Sequence, residues 1–379
     1  MGVGTYSRTA YRSSVRSFTS KGKEAADRGK QTVKNTGKLD PLVDPAEYGV
    51  VRESRIRLAE QKNGGWIVTV GAPGTLEYRL DTTGSMGDNV DKALKALPQI
   101  CELVAEVMPG RDPFYCASIF GDVVDQFVLC RGQFEVLADR MVNQLTLMHP
   151  EGNGGDSDED PHYGIFGAAY LTNAYLHRIG LKSMDFTITD AGMHERLSAR
   201  ELERIFGKDV FEKAKENGHD ITAKDLPSNS ELVKDMLKRA HGFALMVAHG
   251  ETHTVSRWQK LYGKERVIVL PRIEHVPHIM AAVTGLTEGT LDLNSAKHFL
   301  EGANLSKSDA EKAVDSIAHI PLNAQCDLPN YGKLPKKGDY FAEKTDLYPV
   351  DPDKVPEGAI DPVEEAEAAA ASSDDGGWL

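Results

Sequence analysis

Hydrophobic and polar residues alternate along this chain with two periods, one typical of strands and one typical of helices. In residues 75–80, Leu76, Tyr78 and Leu80 alternate with polar neighbours, and this period of two predicts a strand. In residues 88–108 the apolar positions recur every three or four residues, which predicts one long amphipathic helix. Strand and helix patterns continue in turn as far as residue 318.

The remaining predicted elements complete a regular alternation. Further strands are predicted at 64–70, 114–120, 125–130, 185–189, 243–248 and 266–270. Further helices are predicted at 133–147, 161–179, 198–217, 229–241, 275–287, 292–301 and 306–318. Asp160 and Pro161 have the residue types of an N-cap and a first helical position. Strands separated by helices of this length favour parallel pairing, so the predicted fold class is α/β: a doubly wound, mainly parallel sheet with helices on both faces.

The two ends of the chain differ from this central part and carry opposite charges. Residues 1–46 have few aliphatic side chains and are predicted to form a flexible basic arm; nine Lys or Arg and two acidic residues lie in 1–38. Residues 321–379 are rich in Pro and then acidic, with twelve acidic residues and two Lys in 339–379. Between the ends we expect a strand-containing lead-in at 47–73, a central domain at 74–290 and a helical extension at 291–320.

Charge, hydropathy and cysteine content exclude several classes of protein. The net charge of −13 argues against nucleic acid as a partner, because phosphates attract clustered Lys and Arg. No apolar run reaches the length of about 18 residues that a transmembrane helix needs, and the first residues lack the apolar segment of a secretory signal. Three of the four cysteines lie in apolar segments, which favours buried, reduced thiols and a cytoplasmic protein.

Small oxygen-bearing residues stand where ligands bind in such a fold. In a doubly wound sheet, ligands lie outside the carboxyl ends of the strands. Asp81, Thr83 and Ser85 follow the strand at 75–80, and steps of two along an extended turn place their oxygens on one side. Asp190 follows the strand at 185–189, and a glycine-rich loop carries Gly154-Gly155-Asp156. Carboxylate and hydroxyl oxygens suit a hard divalent cation.

Three of these segments resemble the motifs of von Willebrand factor A (VWA) domains. DTTGSM at 81–86 resembles the DxSxS motif of their metal-ion-dependent adhesion site, with Thr83 in place of the first Ser. GGD at 154–156 resembles the loop in which that family places a Thr or, in some intracellular branches, an Asp. ITDAG at 188–192 resembles the strand end that carries the last Asp of the site. The motifs occur in the family's order, and the resemblance covers roughly residues 74–285.

The resemblance implies a metal site that binds a partner protein. The implied ion is Mg²⁺, with Mn²⁺ and Ca²⁺ as alternatives, and the implied ligands are Asp81, Thr83, Ser85, Asp156 and Asp190. With Asp156 in the Thr position, three carboxylates give the Mg²⁺ site a formal charge of −1, and the acidic residues at 158–160 add to this field. We therefore expect a partner with a basic rim, a neutral oxygen, or a carboxylate flanked by Lys or Arg. Glu77 and Arg79 are charged, whereas the central strand of that family is apolar on both faces. The resemblance therefore does not fix the residue at which this strand starts.

The histidines offer a weaker signal for a metal. The HGETH segment at 249–253 lacks the Glu directly after the first His that zinc proteases need, and it follows a strand. It and the HVPH segment at 275–278 are therefore expected to have surface or capping roles. His194, which follows Asp190 closely, is expected at the rim of the metal site or behind its ligands.

Three hypotheses of function follow from these residues. The first is a cytoplasmic, non-enzymatic VWA module whose Mg²⁺-loaded face docks a partner protein; intracellular VWA proteins are often adaptors of ATP-driven machines such as MoxR-type AAA+ ATPases. The second is a structural component of a large assembly, such as a phage particle, with its charged ends ordered by neighbouring subunits. The third is a metal-dependent phosphoesterase, for which His194 is the one general base available beside the metal.

Overall fold

The elements of the chain confirm the predicted alternation of strands and helices. A computed structural model describes residues 27–48, 50–52, 58–60, 66–68, 72–109, 111–135, 138–154, 157–178, 180–247 and 252–331. The strands are β1 Val51–Arg52, β2 Leu58–Glu60, β3 Trp66–Val68, β4 Ala72–Asp81, β5 Arg111–Phe120, β6 Leu129–Arg131, β7 Asp158–Glu159, β8 Thr172–Asn173, β9 Ser183–Thr189, β10 Gly192–Met193, β11 Ala240–Val247 and β12 Val267–Leu270. The helices are α1 Asp27–Thr36, α2 Pro45–Tyr48, α3 Asp88–Ala96, α4 Ile100–Val107, α5 Ala138–Leu147, α6 Pro161–Tyr170, α7 Tyr175–Arg178, α8 Ala199–Phe206, α9 Val210–Glu216, α10 Asn229–Arg239, α11 Thr252–Tyr262, α12 Val276–Thr287, α13 Leu293–Gly302 and α14 Lys307–Ile317.

The main sheet is doubly wound, as the sequence predicts. Its strands lie in the order β6-β5-β4-β9-β11-β12, so the first strand of the sheet, β4, lies beside the fourth, β9. All neighbours within it pair in parallel except β5 and β6, which are antiparallel. The direction of winding reverses between β4 and β9. Ligands bind at such a switch point in open α/β sheets, outside the carboxyl ends of the strands.

Helices cover both faces of this sheet, and each face has its own core. Because strand side chains alternate, Leu76, Tyr78 and Leu80 of β4 all point to one core, which also contains residues of α3, α4 and α12. Ala244 and Met246 of β11 point to the other core, together with residues of α6, α8, α10 and α11. The predicted layers are therefore confirmed.

Proline and glycine divide two helices that the sequence predicts as continuous. The helix predicted at 88–108 is split into α3 and α4 by a 3-10 turn at Leu97–Gln99, because Pro98 has no N–H to continue the ladder. The helix predicted at 198–217 is split into α8 and α9 at Gly207, whose φ of 90° lies in the left-handed region. The sequence also misses α11, which contains His253; that histidine lies in a helix, contrary to the sequence prediction, and His249 lies outside the described residues.

Tertiary pairing shortens three other predicted elements. The helix predicted at 161–179 ends at Tyr170, since Thr172 pairs with Val51 in a parallel bridge and Ile179 lies outside the described residues. The helix predicted at 133–147 begins only at residue 138, because Glu135 pairs with Tyr115 through two backbone bonds of 2.9 Å. The strand predicted at 125–130 is reduced to β6. Of the strand predicted at 64–70, the described residues 66–68 form β3, which pairs with β2 outside the main sheet.

Glu77 and Arg79 are the charged residues that made the first residue of this strand hard to predict. Both lie inside β4, where they form two buried ion pairs beneath α6. Arg79 donates from Nη1 and Nη2 to the two carboxylate oxygens of Asp185 on β9, at 2.9 and 2.5 Å. Arg131 on β6 donates from Nε and Nη2 to Oε1 of Glu77, at 2.9 and 2.7 Å. All four residues are at most 3% exposed. The polar positions of the alternating pattern therefore face the second core and are neutralised there.

Parts of both predicted flexible ends pack on the domain. Residues 27–46, assigned by sequence to the basic arm, contain α1, which packs on α5, and the buried side chains Leu39 and Val43. Residues 321–331 of the predicted tail are also docked, since Gln325 is fully buried and donates to the carbonyl of Lys182 at 2.8 Å. Residues 1–26 and 332–379 lie outside the described residues. Among the described helices, none is both long and apolar enough to cross a membrane.

Candidate functional site

Asp81, the last residue of β4, is fixed in place by hydroxyl groups from the turn after β4 and from the end of β9. Its side chain is fully buried. Oδ1 accepts from the backbone N–H of Thr83 at 2.9 Å and from the Thr83 hydroxyl at 2.6 Å. Oδ2 accepts from the hydroxyl of Thr189, at the end of β9, at 2.5 Å. The carboxylate therefore joins the ends of the two strands between which the winding reverses.

The turn after β4 brings the predicted hydroxyl ligands to Asp190. A 3-10 turn at Gly84–Met86 follows Thr83, and α3 begins after Gly87. Ser85 donates from Oγ to Oδ1 of Asp190 at 2.8 Å, and the Ser85 and Thr83 hydroxyl oxygens are 3.3 Å apart. Four of the five predicted ligands are thus brought together. The fifth, Asp156, lies outside the described residues.

Glu159 is a third carboxylate of this site, which the sequence prediction counted only as part of an acidic loop. It is 2% exposed, and its Oε2 has no hydrogen-bond partner within the part of the chain that the structure describes. A Cβ added to Gly154 would lie 3.0 Å from Glu159 Oε1 and 3.6 Å from Thr83 Cβ. The Glu159 carboxylate and Thr83 therefore both lie close to this glycine. In β7, successive side chains point to opposite sides, so only one of the neighbouring acids Asp158 and Glu159 can face the site. This alternation is the sequence signal that could have distinguished the two.

Burial and repulsion by neighbouring acids raise the pKa values of two of these acids. Burial raises the pKa of Asp81 to about 6, against the lowering effect of the Thr189 and Thr83 hydrogen bonds. Burial also raises the pKa of Glu159 to about 8, and the charge of Asp81 adds to this increase. Since nearby cations favour the charged form of an acid, a bound cation would reverse both shifts.

The donors of this site fit a hard divalent cation. Two neighbouring ligands of an octahedral Mg²⁺, each at about 2.1 Å, are about 3 Å apart. The Ser85–Asp190 and Thr83–Ser85 oxygen separations of 2.8 and 3.3 Å lie on either side of that value. All donors are carboxylate or hydroxyl oxygens, and Oε2 of Glu159, which has no hydrogen-bond partner among the described residues, is a further acceptor. The residues present therefore fit Mg²⁺, Mn²⁺ or Ca²⁺ better than a metal that prefers nitrogen or sulfur.

The acidic residues at 158–160 do not all add to the field of this site. Asp158 forms an ion pair with Arg257 of α11, in which Nη2 donates to Oδ2 at 2.6 Å, and Asp160 lies 2.9 Å from His194 Nδ1. Only Glu159 turns towards Asp81. The expectation that all three acids strengthen the field is therefore wrong for Asp158, which is neutralised by its arginine.

A cleft beside the turn gives this site an accessible side. It has a volume of about 340 Å³, and its walls include Thr83, Gly84 and Gly152. Its charged walls comprise the acids Asp88, Asp91 and Glu151 and a single base, Lys30 of α1. A group entering the cleft therefore meets a mainly acidic surface.

The other candidate residues have structural partners. Cys101, Cys116 and Cys130 are buried free thiols, as expected, and burial raises the pKa of each. His275 and His278 are each 7% exposed, so the surface alternative is wrong for this pair. The capping alternative fits His278, whose Nε2 contacts the carbonyl of Ala303, the C-cap of α13, at 3.1 Å.

Searches among known proteins find similar structures at low identity. A von Willebrand factor type A protein from Catenulispora acidiphila is 11% identical with a TM-score of 0.32, over 59% of this chain and 44% of that one. Proximal thread matrix protein 1 from the mussel byssus is 13% identical with a TM-score of 0.36, over 58% and 47% of the two chains. The pilus adhesin SpaC from Lactobacillus rhamnosus GG is 11% identical with a TM-score of 0.37, over 65% and 34%.

These matches extend over less than half the length of each solved structure. No protein-family model matches the sequence, and no curated protein matches it. Identities and TM-scores of this size leave the family of the chain undecided, so its fold assignment rests on the strand order and register.

Proposed function

We propose that this protein is a metal-dependent protein-interaction module of the VWA type, which binds Mg²⁺ at the carboxyl ends of β4 and β9. The observation that carries the proposal is the convergence of oxygens at the switch point, where Ser85 Oγ lies 2.8 Å from Asp190 Oδ1 and 3.3 Å from the Thr83 hydroxyl oxygen. When bound, Mg²⁺ would offer a partner one strong, directional bond to an oxygen atom. We propose binding, without catalysis, as the activity of this site.

The surrounding residues would hold the ligands in place. Thr189 and Thr83 fix both oxygens of Asp81, and the Gly84 N–H donates to the Asn153 carbonyl at 3.1 Å, which ties the turn to the neighbouring loop. A Cβ on Gly84 would lie 3.2 Å from the Gly152 carbonyl oxygen, so a larger residue would separate the two segments. A site that is rigid before binding loses little conformational freedom on binding.

The charges around the site support a partner with a basic rim. Asp81, Glu159 and Asp190 give three carboxylates around one dication, and the cleft walls carry three further acids against one lysine. Lys or Arg beside the coordinating oxygen of the partner would offset this charge and raise the association rate. A partner surface that presents only acids would be repelled.

Metal binding can be tested with Mn²⁺ as a paramagnetic substitute for Mg²⁺. Titration of the full chain, followed by electron paramagnetic resonance of free Mn²⁺, should give one site that excess Mg²⁺ displaces. Ser85→Ala should weaken Mn²⁺ binding at least tenfold, whereas Ser230→Ala, at an exposed position of α10, should leave it unchanged. Equal Mn²⁺ affinity of Ser85→Ala and the unaltered protein would contradict the assignment of this site.

Partner binding is a separate test with its own controls. Affinity capture with Mg²⁺, with EDTA, and with Asp81→Ala should recover a partner only in the first case. Recovery of an AAA+ ATPase would support the adaptor function, and recovery of assembly subunits would support the structural one. The same partner recovered under all three conditions would refute metal-dependent docking. Phosphoester hydrolysis that requires Mg²⁺ and Asp81 would replace the binding proposal with an enzymatic one.

The opposite charges of the chain ends favour a second candidate function, a subunit of a large assembly. Residues 1–38 carry a net charge of +7 and residues 339–379 a net charge of −10. Complementary ends of this kind can join neighbouring subunits through electrostatic attraction. If this is the function, deletion of either end should abolish assembly while EDTA has little effect, and the reverse result would count against it.

A further inference from the structure

A second group of side chains with metal-ligand chemistry lies beside the proposed Mg²⁺ site but shares no residue with it. Asp122 follows β5, Asp160 precedes α6, and His194 follows β10. Each of these three residues offers a ligand atom, and the three atoms all lie within 4.8 Å of one another. The two aspartates are buried, at 4% and 2% exposure, and the His194 side chain is 29% exposed. His194 thus gives the buried carboxylates a path to solvent.

Asp160 is held towards this group instead of capping its own helix. The sequence predicts Asp160 as the N-cap of α6, and it occupies that position, but its side chain makes no capping bond. Its Oδ2 accepts from the N–H of Val123 at 2.7 Å, and its Oδ1 faces His194 Nδ1 at 2.9 Å. Asp122 is oriented similarly, because its Oδ1 accepts from the N–H of Val124 at 2.8 Å. Each aspartate is therefore positioned by the backbone of one loop.

His162 provides an independent observation that points to a ligand. This residue, in the first turn of α6, is fully buried, and among the described residues neither ring nitrogen has a hydrogen-bond partner. Its Nε2 faces Asp160 Oδ1 at 3.5 Å. Buried imidazoles normally satisfy their nitrogens, because an unpaired buried polar group destabilises the folded state. A neutral imidazole has a lone pair on one ring nitrogen, which it can offer to a metal.

The chemistry of these donors, and the distances of the two histidine nitrogens from Asp160 Oδ1, suit zinc. Tetrahedral Zn²⁺ with ligands at about 2.0–2.1 Å has neighbouring donor atoms about 3.3 Å apart. The 3.5 Å between His162 Nε2 and Asp160 Oδ1 is close to this value, and the 2.9 Å to His194 needs an outward movement of about 0.4 Å. Imidazole nitrogens favour Zn²⁺ over Mg²⁺, which prefers oxygen ligands alone. The two neighbouring sites therefore differ in the class of metal that they would select.

We propose that Asp122, Asp160, His162 and His194 form a second cation site that binds Zn²⁺. His194, predicted from the sequence to be a rim or supporting residue of the Mg²⁺ site, is then a ligand of this separate site. The partly exposed His194 would admit the ion and complete the shell around the buried acids.

Zinc titration of the full-length protein tests this proposal. After treatment with EDTA and dialysis, the protein would be titrated with Zn²⁺ in competition with a chromophoric zinc chelator, with excess Mg²⁺ present throughout. We expect one Zn²⁺ per chain. His194→Ala should weaken Zn²⁺ binding at least tenfold, and its partial exposure makes it compatible with folding. His298→Ala, which alters a histidine side chain that is 81% exposed on α13, should have no effect.

Three results would overturn the second site. They are the absence of stoichiometric Zn²⁺ binding, equal affinity of His194→Ala and the unaltered protein, and loss of Zn²⁺ in Asp81→Ala but not in His194→Ala. The last result would place zinc at the Mg²⁺ site. Co²⁺ substitution adds a spectroscopic check: intense visible absorption bands of tetrahedral Co²⁺ should appear with the unaltered protein and be lost with Asp122→Asn.

Discussion

Replacement of Asp185 by Asn would leave the Arg79 guanidinium buried without its paired carboxylate. Arg79 is fully buried and makes two bonds to Asp185, of 2.9 and 2.5 Å. Removing one partner of a buried ion pair costs about 3–5 kcal/mol, because the other charge remains desolvated. The charge of Glu77 also acts on Arg79, so we expect the lower end, a loss of about 3 kcal/mol in the free energy of unfolding. In a domain of this size that loss lowers Tm by about 6–12 °C.

Urea denaturation followed by circular dichroism measures this loss of unfolding free energy. Two further variants serve as controls. Asp91→Asn removes a surface ion pair with Lys95. The Asp91 side chain is 57% exposed and the Lys95 side chain 39%, so the free energy of unfolding should fall by at most about 0.5 kcal/mol. The double variant Arg79→Met/Asp185→Leu replaces both charges by apolar groups and should recover most of the stability. The reasoning is refuted if the free energy of unfolding of Asp185→Asn is within about 1 kcal/mol of that of the unaltered protein. It is also refuted if the double variant is less stable than Asp185→Asn, as it would be if the effects of the two substitutions simply added.

Three further changes test other parts of the fold by the same denaturation assay. Gly164→Ala should destabilise by about 1–3 kcal/mol despite a better helix propensity, because the new Cβ would lie 2.9 Å from Cδ of Arg79; a stabilised variant would contradict this packing. Ser228→Ala removes the capping box of α10 and should cost about 1 kcal/mol, and an unchanged midpoint would refute the capping role. Burial lowers the pKa of His241 from 6.5 to about 4, so the unfolded chain binds more protons, and the folded state loses stability as the pH falls through this range. His241→Asn, which keeps an amide donor near Gln325, should reduce the loss between pH 7 and pH 5 by about 2 kcal/mol, and an unaltered pH profile would count against this shift.

The sequence predicts best those parts of the site that depend on strand ends. Asp81 and Asp190 follow strands with clear apolar patterns, and the doubly wound topology brings the ends of those strands to one edge. The turn at Thr83 and Ser85 is local, so its residue spacing is enough to predict that both hydroxyls lie on one side. Local patterns of this kind predict the fold class as well.

Residues that act through distant contacts are not predictable in this way. The role of Glu159 depends on a bridge between β7 and β10, which turns it towards Asp81 while Asp158 turns towards Arg257. Nothing near residue 159 in the sequence indicates that pairing. The helix predicted at 161–179 fails for a similar reason, because the side chain of Thr172 accepts from Arg131 at 2.5 Å and is drawn into the buried ion-pair layer.

The buried ion pairs and the proposed metal site are linked through the register of two strands. Arg79 on β4 lies opposite Thr187 on β9 and donates to its hydroxyl at 2.7 Å. Two residues further along both strands, on the same face, the Thr189 hydroxyl donates to Asp81. A slip of one residue would move Arg79 to the apolar face and separate Asp81 from Thr189 at the same time. An apolar pair at Arg79 and Asp185 could give the same stability but would not select this register so strictly, since apolar contacts are not directional. We infer that charged residues occupy the centre of this sheet because the geometry of the site at its end depends on their pairing.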